Sequence, residues 1–317
     1  MDLAFTIEFI IIFYEDLFVY FNTIVFNKSG MMKVLAYFDK LVEPDNTQIS
    51  GLRRSILEKS LKNALFFAKS VIGFIMFLQI LIVLYNLNHT GFSSPMMFTI
   101  PGIPRESIFF YPTNVISQVV LYYATVPMIV VSDVVIMIVI MYFDGQLSAI
   151  TEVLVQLEDE SVAQEKGGDI IRLIHKEHTE MLEKFEEVNK SLWHTYFHKL
   201  VAGLLYICFT MFTVQSIKES FILAVMIVQG VLVLMYTLCY FGQIIRNASE
   251  DMSKALYMSK WYEMQGKDQK HFLMLMMKFR YPLELETFGF GTVSVYTFVQ
   301  ICKAGISYTT MIYTLFY

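Results

Sequence analysis

Residues 294–317 read SVYTFVQICKAGISYTTMIYTLFY, a run apolar and long enough to cross a bilayer that nonetheless carries a lysine and a ladder of Gln, Ser and Thr. A membrane-crossing helix needs about 20 mostly apolar residues to span roughly 30 Å of hydrocarbon. At about 100° per residue, Thr297, Gln300, Lys303, Ser307, Thr310 and Thr314 fall within about 140° of one helix. Lipid satisfies no hydrogen bond, so such a stripe must face other helices or water. Two readings stand open: an interhelical hydrogen-bonding seam, and the wall of a pore. Lys303 favours the second, because a charge roughly 14 residues from the outer end lies deep and prefers a wet vestibule.

Working outward, the 317-residue chain is 56% hydrophobic and only 17% charged, with 28 Phe beside 20 Met. A soluble domain of this size is far less apolar. Six stretches qualify as spans, at about 4–26, 64–87, 115–142, 199–217, 221–245 and 290–317. No soluble core buries so many, so the expected class is all-α, a polytopic transmembrane helical bundle. Basic residues crowd alternate loops: Lys28 to Lys62 in the first, Lys166 to Lys190 in the third, Arg246 to Arg280 in the fifth. The second has Arg105 and the fourth Lys218. The positive-inside rule makes loops one, three and five cytoplasmic and both termini extracellular. The opening MDLAFTIEFIIIF lacks a basic n-region and reads as a chain that begins inside a bundle, not as a cleaved signal.

The first span carries Glu8, Glu15 and Asp16, which either face a polar bundle interior or mark an early end of the span at the interface. The outer loop 88–113 is rich in Gly, Pro and Ser and holds a sequon at Asn88, the glycosylation candidate. Sequons at Asn27, Asn189 and Asn247 fall on the cytoplasmic side. Residues 145–198 place apolar side chains at helical spacing on both sides of EKGG (165–168), which predicts two cytoplasmic extensions of the third and fourth spans. The fifth loop repeats this with EDMSKALYMSKWYEM, a polar break QGKDQK and HFLMLMMKF, closed by Pro282. Helices apolar on one face below a membrane need partners, as an assembly platform would supply. The expected organisation is a transmembrane ligand-binding bundle over 1–245 with its cytoplasmic extensions, anchor helices over 246–282, and the final helix over 283–317.

His175 with His178, and His194 with His198, have spacings that suit a metal, but no Cys or H-E-x-x-H pattern joins them, so no metal and no cofactor is expected. Cys208, Cys239 and Cys302 fall within spans and read as small packing residues. TFGFG (287–291) is similar to the T-V-G-Y-G carbonyl filter of potassium channels. Phe288 stands where the filter has valine, no apolar re-entrant helix precedes it, and flexible glycines leading into the last helix explain it adequately. No phosphate-binding loop, nucleophile elbow or nucleic-acid motif is present, so the chain is read as neither an enzyme nor a nucleic-acid binder.

The last third, ASEDMSKALYMSKWYEM with Ser249, Ala255, Tyr257 and Trp261, then RYPLELE with Pro282, then YTFVQICKAGISYTTMI, resembles the insect odorant receptors. FFYPTNVISQ, Asp133, GQLSAI and His175 extend the resemblance through the middle of the chain. It implies seven spans, an intracellular N-terminus, an extracellular C-terminus and a tetrameric, odorant-gated, non-selective cation channel. The partners implied are a shared odorant co-receptor, a small volatile organic ligand and membrane lipid, in the plasma membrane of an olfactory neuron. It also implies that the last helix lines the pore, with Thr297, Gln300, Lys303, Ser307 and Thr310 along it and the gate at Met311, Thr314 and Leu315. The ligand pocket is implied in the outer half of the bundle, where Phe77, Tyr85, Tyr122, Tyr123, Met128, Phe209 and Phe212 are the candidate lining.

Six spans against seven place the chain's start near the family's second helix. Ile306 stands where the family commonly has Tyr, and Met311 is bulkier than the usual gate residue. An insect gustatory receptor is the nearest alternative. A G-protein-coupled receptor, which would need D-R-Y and N-P-x-x-Y, and a secondary transporter, which would need an internal repeat, are more distant.

Overall fold

A computed structural model describes residue 11 and residues 14–15, 17–42, 48–90, 103–104, 106–216 and 221–316. The fold is all-α. A short π-helical turn, Phe21–Phe26, leads into α1 (Lys28–Val42). Then come α2 (Gln48–Thr90), α3 (Phe110–Val155), α4 (Glu160–Ser216), α5 (Phe221–Met258), α6 (Gly266–Lys278) and α7 (Val295–Phe316). Among the described residues, four helices are long and apolar enough to cross a membrane: those holding Gly51–Tyr85, Val130–Glu158, Glu160–Phe212 and Ala224–Met258. Leu17–Phe26 is apolar but shorter. The 22 residues of α7 rise about 33 Å, enough to cross.

The 57 residues of α4 would extend about 85 Å, far beyond any bilayer. Its charged first part therefore projects from the membrane with the ends of α3 and α5, forming a helical base. α6 packs on that base, and Trp261 stacks on Phe272 at 5.6 Å. Gln269 Nε2 donates to the carbonyls of Tyr262 and Met264 at 2.9 and 2.8 Å, closing the loop before α6. At the other end of α6, the Phe279 carbonyl accepts from Ser253 Oγ, and Ser249 Oγ accepts from Leu283 N–H.

Two expectations change here. The break between the extensions falls at Gln156–Glu158, a 3₁₀ turn, and not at EKGG. Asp159 caps the new helix, its carboxylate accepting from Ser161 N–H at 2.9 Å and Ser161 Oγ at 2.7 Å, while Lys260 N–H satisfies the Leu157 carbonyl. Gly167 and Gly168 stay helical because they admit close neighbours: a Cβ at Gly168 would run into the Asp268 carboxylate. TFGFG becomes the tip of a two-stranded hairpin, Glu286–Thr287 paired antiparallel with Gly291–Thr292. Gly289 and Gly291 take φ of 82° and 73°, which only glycine adopts readily.

α5 runs unbroken through residues 245 and 246. Where it passes the start of α7, Gly242 lies under the Val293 carbonyl so closely that any Cβ would clash with backbone.

Candidate functional site

α7 meets its own chain along Thr297, Ile301, Gly305 and Thr309, a buried line of four-residue spacing. Gly305 lets Ile207 of α4 approach, because a Cβ there would lie 2.6 Å from Ile207 Cγ2. The Thr309 hydroxyl donates to the Gly305 carbonyl at 2.8 Å, a local solution for a hydroxyl in an apolar seam. Phe298 meets Tyr236 of α5 edge-on at 5.4 Å.

Gln300, Lys303, Ser307, Thr310, Met311 and Thr314 are all exposed on the side that this chain leaves uncovered. Thr297 departs from the expected stripe. It is buried, its hydroxyl donates to the Thr292 carbonyl, and it pairs with Ser294 Oγ. Its task is local, joining the hairpin to the first turn of α7. Without it the exposed polar arc narrows to about 80°. The Leu315 side chain lies outside the described residues.

The expected ligand-lining residues separate in the same way. Phe77 is 55% exposed and lies on the outward face of α2, so it does not line a space inside the bundle. At 100° per residue it stands about 160° from Gln79, which is buried on the inward face. Tyr85, Tyr123, Phe209 and Phe212 are half-buried on α2, α3 and α4. Tyr122 and Met128 side chains lie outside the described residues. Asn88 is exposed at the end of α2. By contrast, Asn27 donates to the Asn22 and Ser191 carbonyls, and Asn189 Oδ1 accepts from Glu286 N–H.

Charges inside the bundle are paired across helices. Asp133 of α3 and Lys199 of α4 are 2.7 Å apart and nearly buried, with Glu15 in electrostatic reach of both. Glu15 is half-buried near that pair; Glu8 and Asp16 lie outside the described residues. Nearer the base, Arg53 of α2 binds Glu177 of α4 at 2.7 Å, and Gln146 of α3 donates to the same carboxylate oxygen at 3.1 Å. These cross-helix partners were invisible in the sequence, because 66 and 124 residues separate the two ion pairs' members.

In the base, His175 Nδ1 and His271 Nε2 lie 3.0 Å apart, one donating to the other. Burial, then Lys278 and His271, hold His175 below the usual histidine range. His178 packs at a tilt against Phe279 with ring centres 4.2 Å apart, and burial pushes its pKa down to about 4. His194 stacks on Trp193, and His198 packs at a tilt against Phe18. No group of three metal-ligating side chains occurs among the described residues.

The chain is an all-helical bundle with an uncovered polar helix at its edge, and comparison with known proteins gives the family to which such a bundle belongs. The family model of the 7tm odorant receptors matches residues 8–306, and the chain belongs to that family. The solved structure of the insect olfactory receptor OR5 from Machilis hrabei in complex with eugenol superposes with a TM-score of 0.76 at 12% identity, covering 99% of this chain and 83% of that one. A second structure of the same receptor gives 0.71 at 13% identity, covering 96% and 79%. At such identity the likeness is one of fold. No curated protein sequence matches the chain significantly.

Proposed function

We propose that this odorant receptor is the tuning subunit of a ligand-gated, non-selective cation channel, assembled with a co-receptor in the plasma membrane of an olfactory neuron. The supporting observation is the exposed arc of Gln300, Lys303, Ser307, Thr310, Met311 and Thr314 on α7. Lipid solvates no such arc, whereas a central water-filled pore shared among subunits does. In this reading the base is cytoplasmic, the end of α7 is extracellular, and Met311, Thr314 and Leu315 form the gate. A small volatile ligand sits in the outer half among Tyr85, Tyr122, Tyr123, Met128, Phe209 and Phe212. Aromatic and thioether groups there grip an apolar molecule with few polar constraints.

The decisive experiment is co-expression with a co-receptor and recording of odorant-evoked currents. Lys303→Gln removes a positive charge from the proposed conduction path and is expected to raise cation conductance. Met311→Val is expected to alter single-channel conductance by trimming the gate. Unchanged conductance in both variants rejects the pore in favour of the hydrogen-bonding seam. An epitope after Tyr317 is expected to label intact cells; labelling only after permeabilisation reverses the topology.

A further inference from the structure

We infer that Gln79 is the polar recognition group of the odorant site, selecting ligands that carry a hydroxyl or carbonyl oxygen; this rests on the odorant-receptor reading above. Gln79 lies on the inward face of α2 with Ile75, Leu78 and Ile82, and is 2% exposed. Ile75 packs beside Val130 of α3 and Leu234 of α5, and Leu78 borders Gly230 of α5. The amide therefore lies where three helices converge. It stands eight residues, about 12 Å along the helix, from the outer end of the span expected over 64–87. That is the half of the bundle in which the ligand is proposed to sit.

Among the described residues, neither its Nε2 nor its Oε1 has a hydrogen-bond partner. Thr237 and Thr309 solve this problem on their own helix, each donating to the carbonyl four residues back, whereas the Thr210 hydroxyl on α4 is left unpaired among the described residues. Gln79 makes no such bond either. An unpaired primary amide enclosed by Ile and Leu is strongly unfavourable unless something fills its valences. The amide is uncharged and offers donor and acceptor side by side. It thus matches a neutral volatile molecule whose hydroxyl or carbonyl oxygen takes a hydrogen bond in an otherwise apolar surround. Phe77, though aromatic and on the same helix, faces the opposite way and cannot contribute.

The test uses the full chain co-expressed with a co-receptor, with octanol, octanone and octane as probes of one carbon number. Gln79→Met keeps the size of the side chain and removes its polarity. It is expected to raise the half-maximal concentration for the alcohol and ketone about tenfold, the size of one net hydrogen bond, and to spare octane. Gln79→Asn keeps the amide but withdraws it by one methylene, and is expected to re-rank the oxygenated ligands. A parent preference for oxygenated probes that survives both substitutions overturns the inference, as does an equal shift for all three probes. A parent that gives no odorant-evoked current to any member of a broad panel sinks the receptor-channel reading and this inference together. Currents whose ranking ignores Gln79 sink this inference alone.

Discussion

The base and the outer half of the bundle are built from similar apolar residues and use them differently. In the base, Phe143, Leu147, Ile150, Leu154, Leu157, Ile171, Ile174 and Phe272 are all fully buried, a core of the kind found in soluble proteins. Along the span of α2, Phe66, Phe77, Ile80 and Leu84 lie on the surface, and only 28% of the apolar window is buried, against 61% for α3. Water drives the base to close on itself. Lipid is as apolar as leucine and gives an exposed Phe no reason to turn inward. The same residue types thus make a closed core in the base and an outward-facing apolar surface along α2.

The largest expected effect breaks the base. Phe272→Ala opens a cavity in a sealed core and is expected to destabilise the receptor by about 3–5 kcal/mol, read as the midpoint of thermal unfolding in detergent. Its counterpart on the outer half, Phe77→Ala, is expected to stay within about 0.5 kcal/mol in the same assay. Comparable losses at both sites would erase the contrast.

Arg53→Met strands the buried Glu177 carboxylate and is expected to lower stability by about 3–5 kcal/mol. The double variant Arg53→Met/Glu177→Leu is expected to recover most of that loss, because nothing charged is then left buried. Failure of the double variant to recover would show that Arg53 acts through its packing instead.

The base is also expected to be the acid-sensitive region. The folded state keeps His178 neutral down to about pH 4, while the unfolded chain takes up its proton near 6.5. Between those values the unfolded state binds more protons, so stability falls as pH drops from about 6.5 toward 4 and is flat above. Arg172, Asp268, Lys278, His175 and His271 surround the same seam, and His175 shifts in the same direction. His178→Phe is expected to flatten this dependence; an unchanged profile assigns it to His175 and His271. The smallest effect in the base is at the helix start, where Asp159→Ala removes the cap of α4 and is expected to lower the melting midpoint by less than Phe272→Ala does, measured in the same melts.

Much of this architecture was legible before any coordinate. Apolar length marked the four helices that are long and apolar enough to cross a membrane, and charge with helical spacing marked the extensions that became the base. The polar side of α7 was visible as a period, and five of its six stripe residues fall on the exposed face. Thr297 was misassigned because periodicity reports angle only and says nothing of what stands beside the first turn. EKGG was read as a break because glycine disfavours helices, whereas in the fold its glycines stay helical and let Met264 and Asp268 pack close. Phe77 was chosen for its chemistry, and helical phase cannot say which face of an almost uniformly apolar helix turns inward.

The sequence by itself determined the helical membrane class, the polar period of α7 and the family. Those properties follow from composition and local spacing, which act over one helix at a time. Only the tertiary structure decided that Asp133 meets Lys199, that Arg53 meets Glu177, and that Gln79 faces inward while Phe77 faces outward. A contact between distant segments depends on how whole helices are rotated and crossed, and in lipid that is set by packing shape and a few buried polar groups, not by hydrophobicity.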